Sequence, residues 1–109
     1  MPSGGLDPSA RAAPRRIWSA WPAAVIATAA DEVCASVGEI TGGSRYARLV
    51  RARWAVMLAL REAGWSSARI GRALGGRHHT TVLHGLKRAE ALHATDAGFR
   101  AMCGRVAAA

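Results

Sequence analysis

The sequence predicts an all-α fold, a small helical bundle containing a helix-turn-helix, and three observations predict it. Apolar residues recur at three- and four-residue spacing from residue 22 almost to the end. Short polar capping residues or glycines bound each recurring stretch. No stretch combines strict apolar–polar alternation with hairpin turn chemistry, so no strand is expected. With 109 residues, the chain sits in the usual range for one domain.

The elements follow in order. Residues 1–21 carry three of the four prolines with glycine, serine and arginine, and no sustained period; they are expected to form a flexible basic leader ahead of a domain spanning 22–107. Trp18 and Trp21 in that leader are candidates for docking on the domain's flank or on a partner. Pro22 suits a first helical turn, and Val25, Ile26, Ala29, Ala30 and Val33 share one face of a helix reaching Cys34. Ser36-Val37-Gly38-Glu39 reads as a capping box opening a very short helix that ends near Ile40. Thr41-Gly42-Gly43-Ser44 breaks the chain.

A long helix is expected over 48–63, with Val50, Trp54, Met57, Leu58 and Leu60 inward and Gly64 closing it. Ser66 or Ser67 caps the next, which buries Ile70, Ala73 and Leu74 before Gly75-Gly76 stops it. Another starts around His79, with Val82, Leu83, Leu86, Ala89 and the stretch Glu90 to His93 on or near one side. Thr95-Asp96 caps a last helix carrying Phe99, Met102 and Val106.

Charge narrows the function. Lys plus Arg number 15 against 7 Asp plus Glu, a formal net charge of +8, which favours a polyanionic partner. The excess is concentrated. Between Arg45 and Arg88 lie ten basic residues and a single acid, Glu62, whereas an ordinary solvated surface intersperses both signs. Cys34 and Cys103 are far apart and fit neither a disulfide framework nor a zinc spacing, which points to a reduced, cytoplasmic setting. Arg11, Arg15 and Arg16 ahead of an apolar run mimic a secretory signal only loosely, because Ser19, Pro22 and Thr28 interrupt it and leucine is missing from it. No segment is long and apolar enough to span a bilayer.

A helix, a glycine turn and a second helix opening on small polar residues is the plan of a helix-turn-helix. At about 100° per residue, Val82, Leu86, Ala89 and His93 fall within one arc of the second helix. Thr80, His84, Lys87 and Arg88 fall opposite, with Arg77 and Thr81 at the edge. That outer arc is hydrogen-bonding or cationic throughout. By itself it is equally compatible with a solvated face on which Thr80 or Thr81 is a simple N-cap.

The ten residues Gly75-Gly76-Arg77-His78-His79-Thr80-Thr81-Val82-Leu83-His84 resemble the G-G-R-D-H-T-T-V-L-H signature of the C-terminal DNA-binding domain of DnaA, the bacterial chromosomal replication initiator. Ile70-Gly71-Arg72-Ala73-Leu74 is similar to that family's I-G-x-x-F. Val50-Arg51-Ala52-Arg53 is similar to its A-R-P-R stretch, and the likeness covers roughly residues 24–94. The resemblance implies a DnaA C-terminal-like, Trp repressor-like fold and duplex DNA as partner. It implies that His79, Thr80, Thr81 and His84 meet base edges in the major groove and that Arg51 enters the minor groove. It implies Arg45, Arg48, Arg53, Arg61 and Arg77 on or near phosphates; Lys87 and Arg88 join them from the outer arc, and His78, where the family has Asp, is a candidate further phosphate contact. The angular projection agrees for Thr80, His84 and Lys87 but sets His79 nearer the core, so His79 rests on the resemblance alone.

Departures from the family pattern bear on the target sequence. His78 stands where Asp is usual, Ala52 where Pro is, Trp54 where Gln is, and the turn at Gly64-Trp65 is one residue short. The G-x-x-x-x-G-K-[ST] phosphate loop of an ATPase is missing, so a stand-alone DNA-binding module of the cytoplasm and nucleoid, needing no cofactor, is expected. Its role falls in replication-initiation control or transcriptional regulation, with the leader a candidate contact for the initiator or another protein. The alternatives are a protein-interaction module, or a non-specific nucleic-acid binder that has lost base readout. Catalysis is disfavoured: His79 and His84 are five apart rather than four, and neither cysteine has a partner of catalytic type nearby.

Overall fold

The computed structural model describes residues 21–109 and contains six helices: α1 Trp21–Glu32, α2 Val37–Thr41, α3 Ala47–Glu62, α4 Ser67–Ala73, α5 His79–Thr95 and α6 Ala97–Ala107. Among the described residues there is no strand. The expected leader lies outside them except for its last residue, Trp21, which opens α1 and is buried. Trp18 is also outside them.

Local chemistry sets the helix ends. Ser36 and Glu39 form the expected capping box, Glu39 N–H donating to Ser36 Oγ and Ser36 N–H to Glu39 Oε1. Ser66 caps α4 by accepting from Arg69 N–H, and Asp96 caps α6 by accepting from Phe99 N–H at 2.8 Å. After α3, Gly64 turns left-handed at φ 92°, and its N–H and that of Trp65 close on the carbonyls of Arg61 and Leu60. Helix α1 stops two residues before Cys34, which takes φ 55° and so cannot continue it.

Helix α3 is the axis of the bundle and packs against each of the other helices. Its buried face is Leu49, Ala52, Arg53, Ala55, Val56, Met57, Ala59 and Leu60. This corrects the expected inner face. Val50, Trp54 and Leu58 lie only partly buried at its edge, while the alanines at 52, 55 and 59 are buried on the side that forms the core. Helix α5 departs similarly: Val82, Leu86 and Ala89 are buried as expected, but Leu83 is 43% exposed and both Glu90 and His93 face outward.

The two chain ends of the described domain meet at Trp21. Its indole N–H donates to the Ala109 carbonyl at 3.1 Å, and its ring meets Trp65 edge-on at 6.5 Å. Arg69 lies over the other partner of that pair, its guanidinium carbon 3.8 Å from the Trp65 ring centre. This cluster pins α1 and the C-terminus beside the first helix of the helix-turn-helix.

Candidate nucleic-acid interface

The turn between α4 and α5 is built on one carbonyl. Gly71 O accepts from Gly76 N–H at 3.0 Å and Arg77 N–H at 2.9 Å, which folds the chain back within a few residues. Gly75 and Gly76 supply it with successive left-handed conformations, φ 81° and 82°. A side chain at Gly71 would run into the Arg77 carbonyl group, so the close approach also requires glycine there.

The turn delivers α5 with its amino end outward. His78, Thr80, Thr81, His84, Lys87 and Arg88 are exposed, and so is His79, which the angular projection had set nearer the core. His79 is the first helical residue, where the side chain overhangs the end of the helix instead of packing beneath it. Helix α5 is capped by His78 and not by either threonine: Thr80 N–H donates to His78 Nδ1 at 3.3 Å, and Thr80 Oγ1 lies 2.8 Å from the same nitrogen. The two imidazole rings of His78 and His79 sit 4.3 Å apart, tilted by 36°. Within the first turn, the N–H groups of His79 and Thr81 have no hydrogen-bond acceptor among the described residues. These donors and the positive end of the helix dipole make the site electrophilic toward anions.

Two grooves flank α5 and share His84 as the ridge between them. One, of about 650 Å³, runs between α5 and α3, with Arg45 and Arg88 on its rim and Val50, Trp54 and Met57 lining it. The other, of about 360 Å³, lies between α5 and the end of α3 and is lined by Arg61, Leu83, Lys87 and Glu90. Expected anchoring cations therefore stand on both sides of α5. Tyr46, the N-cap residue of α3 between Arg45 and Arg48, is 71% exposed. Arg48 reaches back to the Val33 carbonyl at 3.3 Å and lies 4.0 Å from Glu39, with half its side chain still in solvent.

Three expected DNA-contacting arginines are held elsewhere. Arg53 is 5% exposed and directs its guanidinium inward: it donates to the carbonyls of Ile40, Ser44, Glu39 and Gly42. Burial holds its pKa below the usual arginine range, and neighbouring Arg77 lowers it further. Arg77 itself donates to the carbonyls of Thr41, Leu74 and Gly42, so it fastens the turn to the 41–44 loop. The reason is common to both. The last carbonyls of α2 (Glu39, Ile40, Thr41) and those of Gly42 and Ser44 beyond it have no next helical turn to donate to them, and the guanidinium forks satisfy them together. Arg51 faces α6 instead of the reading turn, 3.5 Å from Asp96 and 5.7 Å from the Phe99 ring centre.

Trp54 and Val50 are the groove residues that sequence reasoning placed in the core. Their spacing of four marked a helix edge but not which neighbour covered it. Among the described residues no cluster of three or more His, Cys, Asp or Glu has metal-binding proximity, and no helix is long and apolar enough to cross a membrane.

Residues 22–89 match the family model described as the bacterial DnaA protein helix-turn-helix. The chain belongs to this family. As a DnaA-type helix-turn-helix it is a binding module and not an enzyme. It is similar to the chromosomal replication initiator protein DnaA of Thermomicrobium roseum, 43% identical over 67 residues, which is 61% of this chain and 14% of that protein. Against DnaA of Oenococcus oeni it is 37% identical over 70 residues, 63% of this chain and 16% of the relative. Against that of Thermus thermophilus it is 35% identical over 85 residues, 77% and 19% respectively. The chain thus spans less than a fifth of the length of these relatives.

Proposed function

We propose that this chain binds double-stranded DNA in a sequence-specific manner by inserting the amino end of α5 into the major groove, as a module related to DnaA-box recognition. The observation that carries the reading is the exposed first turn of α5. It offers two threonines, two histidines and open backbone donors beside a cation-rimmed groove, in a chain of the DnaA helix-turn-helix family. His79, Thr80, Thr81 and His84 are assigned to base edges. Arg45, Arg48, Arg61, His78, Lys87 and Arg88 are assigned to phosphates. Arg53 and Arg77 are left out of the contact set because loop and α2 carbonyls take most of their donors.

The relatives are named replication initiators, which supports a place in replication-initiation control; a transcriptional role uses the same readout at promoters. Either role places the chain with the chromosome in the cytoplasm. Binding of the full chain to a duplex carrying its selected site and to a scrambled duplex, each across a range of salt, tests the proposal. Base readout gives a preference on the order of 10³ or more, with a steep salt dependence. Equal affinity for both duplexes makes the chain a non-specific binder, and indifference to both makes it a protein-interaction module.

A further inference from the structure

The groove between α3 and α5 has a chemistry that phosphate contacts alone do not explain. Val50 and Trp54 are large apolar side chains left partly open to solvent, with Met57 beneath them. Around them stand Arg45, Arg88 and His84, and no aspartate or glutamate lines the groove. A cationic rim over an apolar floor fits a polymer whose anionic groups alternate with apolar ones. One strand of DNA is such a polymer, with deoxyribose between successive phosphates.

Trp54 is also fixed in position relative to the reading helix. A Cβ on Gly85 would lie 2.6 Å from Met57 Sδ and 3.4 Å from Trp54 Cδ1, so glycine at 85 lets both side chains press against the α5 backbone. Gly85 follows His84 directly and lies one turn from both Thr81 and Arg88. The indole is therefore held alongside the residues assigned to bases and phosphates, and it stands where the family pattern has Gln. A buried structural tryptophan needs no opening to solvent, and a pure phosphate site needs no indole.

We propose that this groove seats one sugar–phosphate strand of the bound duplex, with the Trp54 ring packed on deoxyribose and Arg45 and Arg88 on the flanking phosphates. The inference rests on the DNA-binding reading and adds Trp54 and Val50 to the interface. It predicts a separation of effects, because sugar burial adds affinity without displacing counterions and without reading sequence.

The test is duplex binding across a salt series for the full chain and for Trp54→Gln, Trp54→Phe and Arg88→Ala, with thermal melting to verify folding. Trp54→Gln is expected to bind about tenfold more weakly at every salt concentration, the loss from about 50 Å² of apolar contact. Its salt slope and its preference for specific over scrambled duplex stay as in the wild type. Trp54→Phe keeps most of the affinity, and Arg88→Ala lowers the slope by about one. If the wild type binds specifically and Trp54→Gln binds equally well, the groove does not hold the strand and only this inference falls. A loss of sequence preference in a folded Trp54→Gln makes Trp54 a base reader and overturns the sugar assignment. A wild-type chain that binds no duplex overturns the DNA-binding reading and this inference with it.

Discussion

Arg53 and Arg77 share an acceptor, the carbonyl oxygen of Gly42: Arg53 Nη2 donates to it at 3.0 Å and Arg77 Nη2 donates to it from the far side of the turn. One loop carbonyl thus ties the axial helix α3 to the entrance of α5. Two residues whose sequence context marks them as DNA anchors serve as internal fasteners. Arg53→Ala leaves the carbonyls of Glu39, Ile40 and Ser44 without their side-chain donor and Gly42 with Arg77 alone, and it is expected to lower unfolding free energy by about 2–4 kcal/mol in chemical denaturation. Arg53→Lys does not restore it, because one ammonium cannot span that set of acceptors.

The turn itself is equally intolerant. At Gly71 an added Cβ would sit 3.1 Å from the Arg77 carbonyl carbon and nearer still to its oxygen, so backbone must move. Gly71→Ala is expected to cost roughly 2–4 kcal/mol in the same measurement and to weaken DNA binding beyond that by misaiming α5. Gly76→Ala meets no neighbour and is strained only by its φ of 82°, so it should cost less.

The helices and their limits were legible because their signals are local. Ser36 with Glu39, Ser66, Asp96 and Gly64 act within one turn of where they stand, and each did what its type does. The rotation of α3 was not legible. Val50, Trp54 and Leu58 look like a core stripe until five neighbouring helices compete for the faces of one, and alanines take the buried side. The exposed turn with Thr80, Thr81 and His84 follows from the glycine signature and the helical period. The fates of Arg53 and Arg77 do not, since their partners in residues 39–44 lie 9–14 and 35–36 residues away and leave no periodic trace.

His78 occupies the N-cap position where the family pattern has Asp, and an imidazole nitrogen substitutes for the carboxylate. Asp caps more strongly and complements the positive helix end, so His78→Asp should raise stability by about 0.5–1 kcal/mol. The same change places a negative charge beside DNA phosphates, so the loss of affinity relative to the wild type should be largest at low salt and narrow as salt screens it. Parallel thermal melts and binding isotherms check both signs.

The two cysteines should differ in reactivity. Cys34 is exposed, whereas Cys103 is buried and its thiol is pushed up to about 11, chiefly by burial, with Glu62 adding to the shift and Arg51 opposing it. An alkylating reagent at pH 8 should modify Cys34 readily and Cys103 only on unfolding, as intact-mass measurement in native and denaturing buffer will show.

Backbone amide shifts of the labelled chain, followed by NMR as its preferred duplex is added, test the central claim most directly. The largest changes are expected at His78, His79, Thr80, Thr81 and His84, with smaller ones at Arg45 and Arg88. Changes confined to the α6 side around Arg100 and Gly104, with the first turn of α5 unmoved, contradict it.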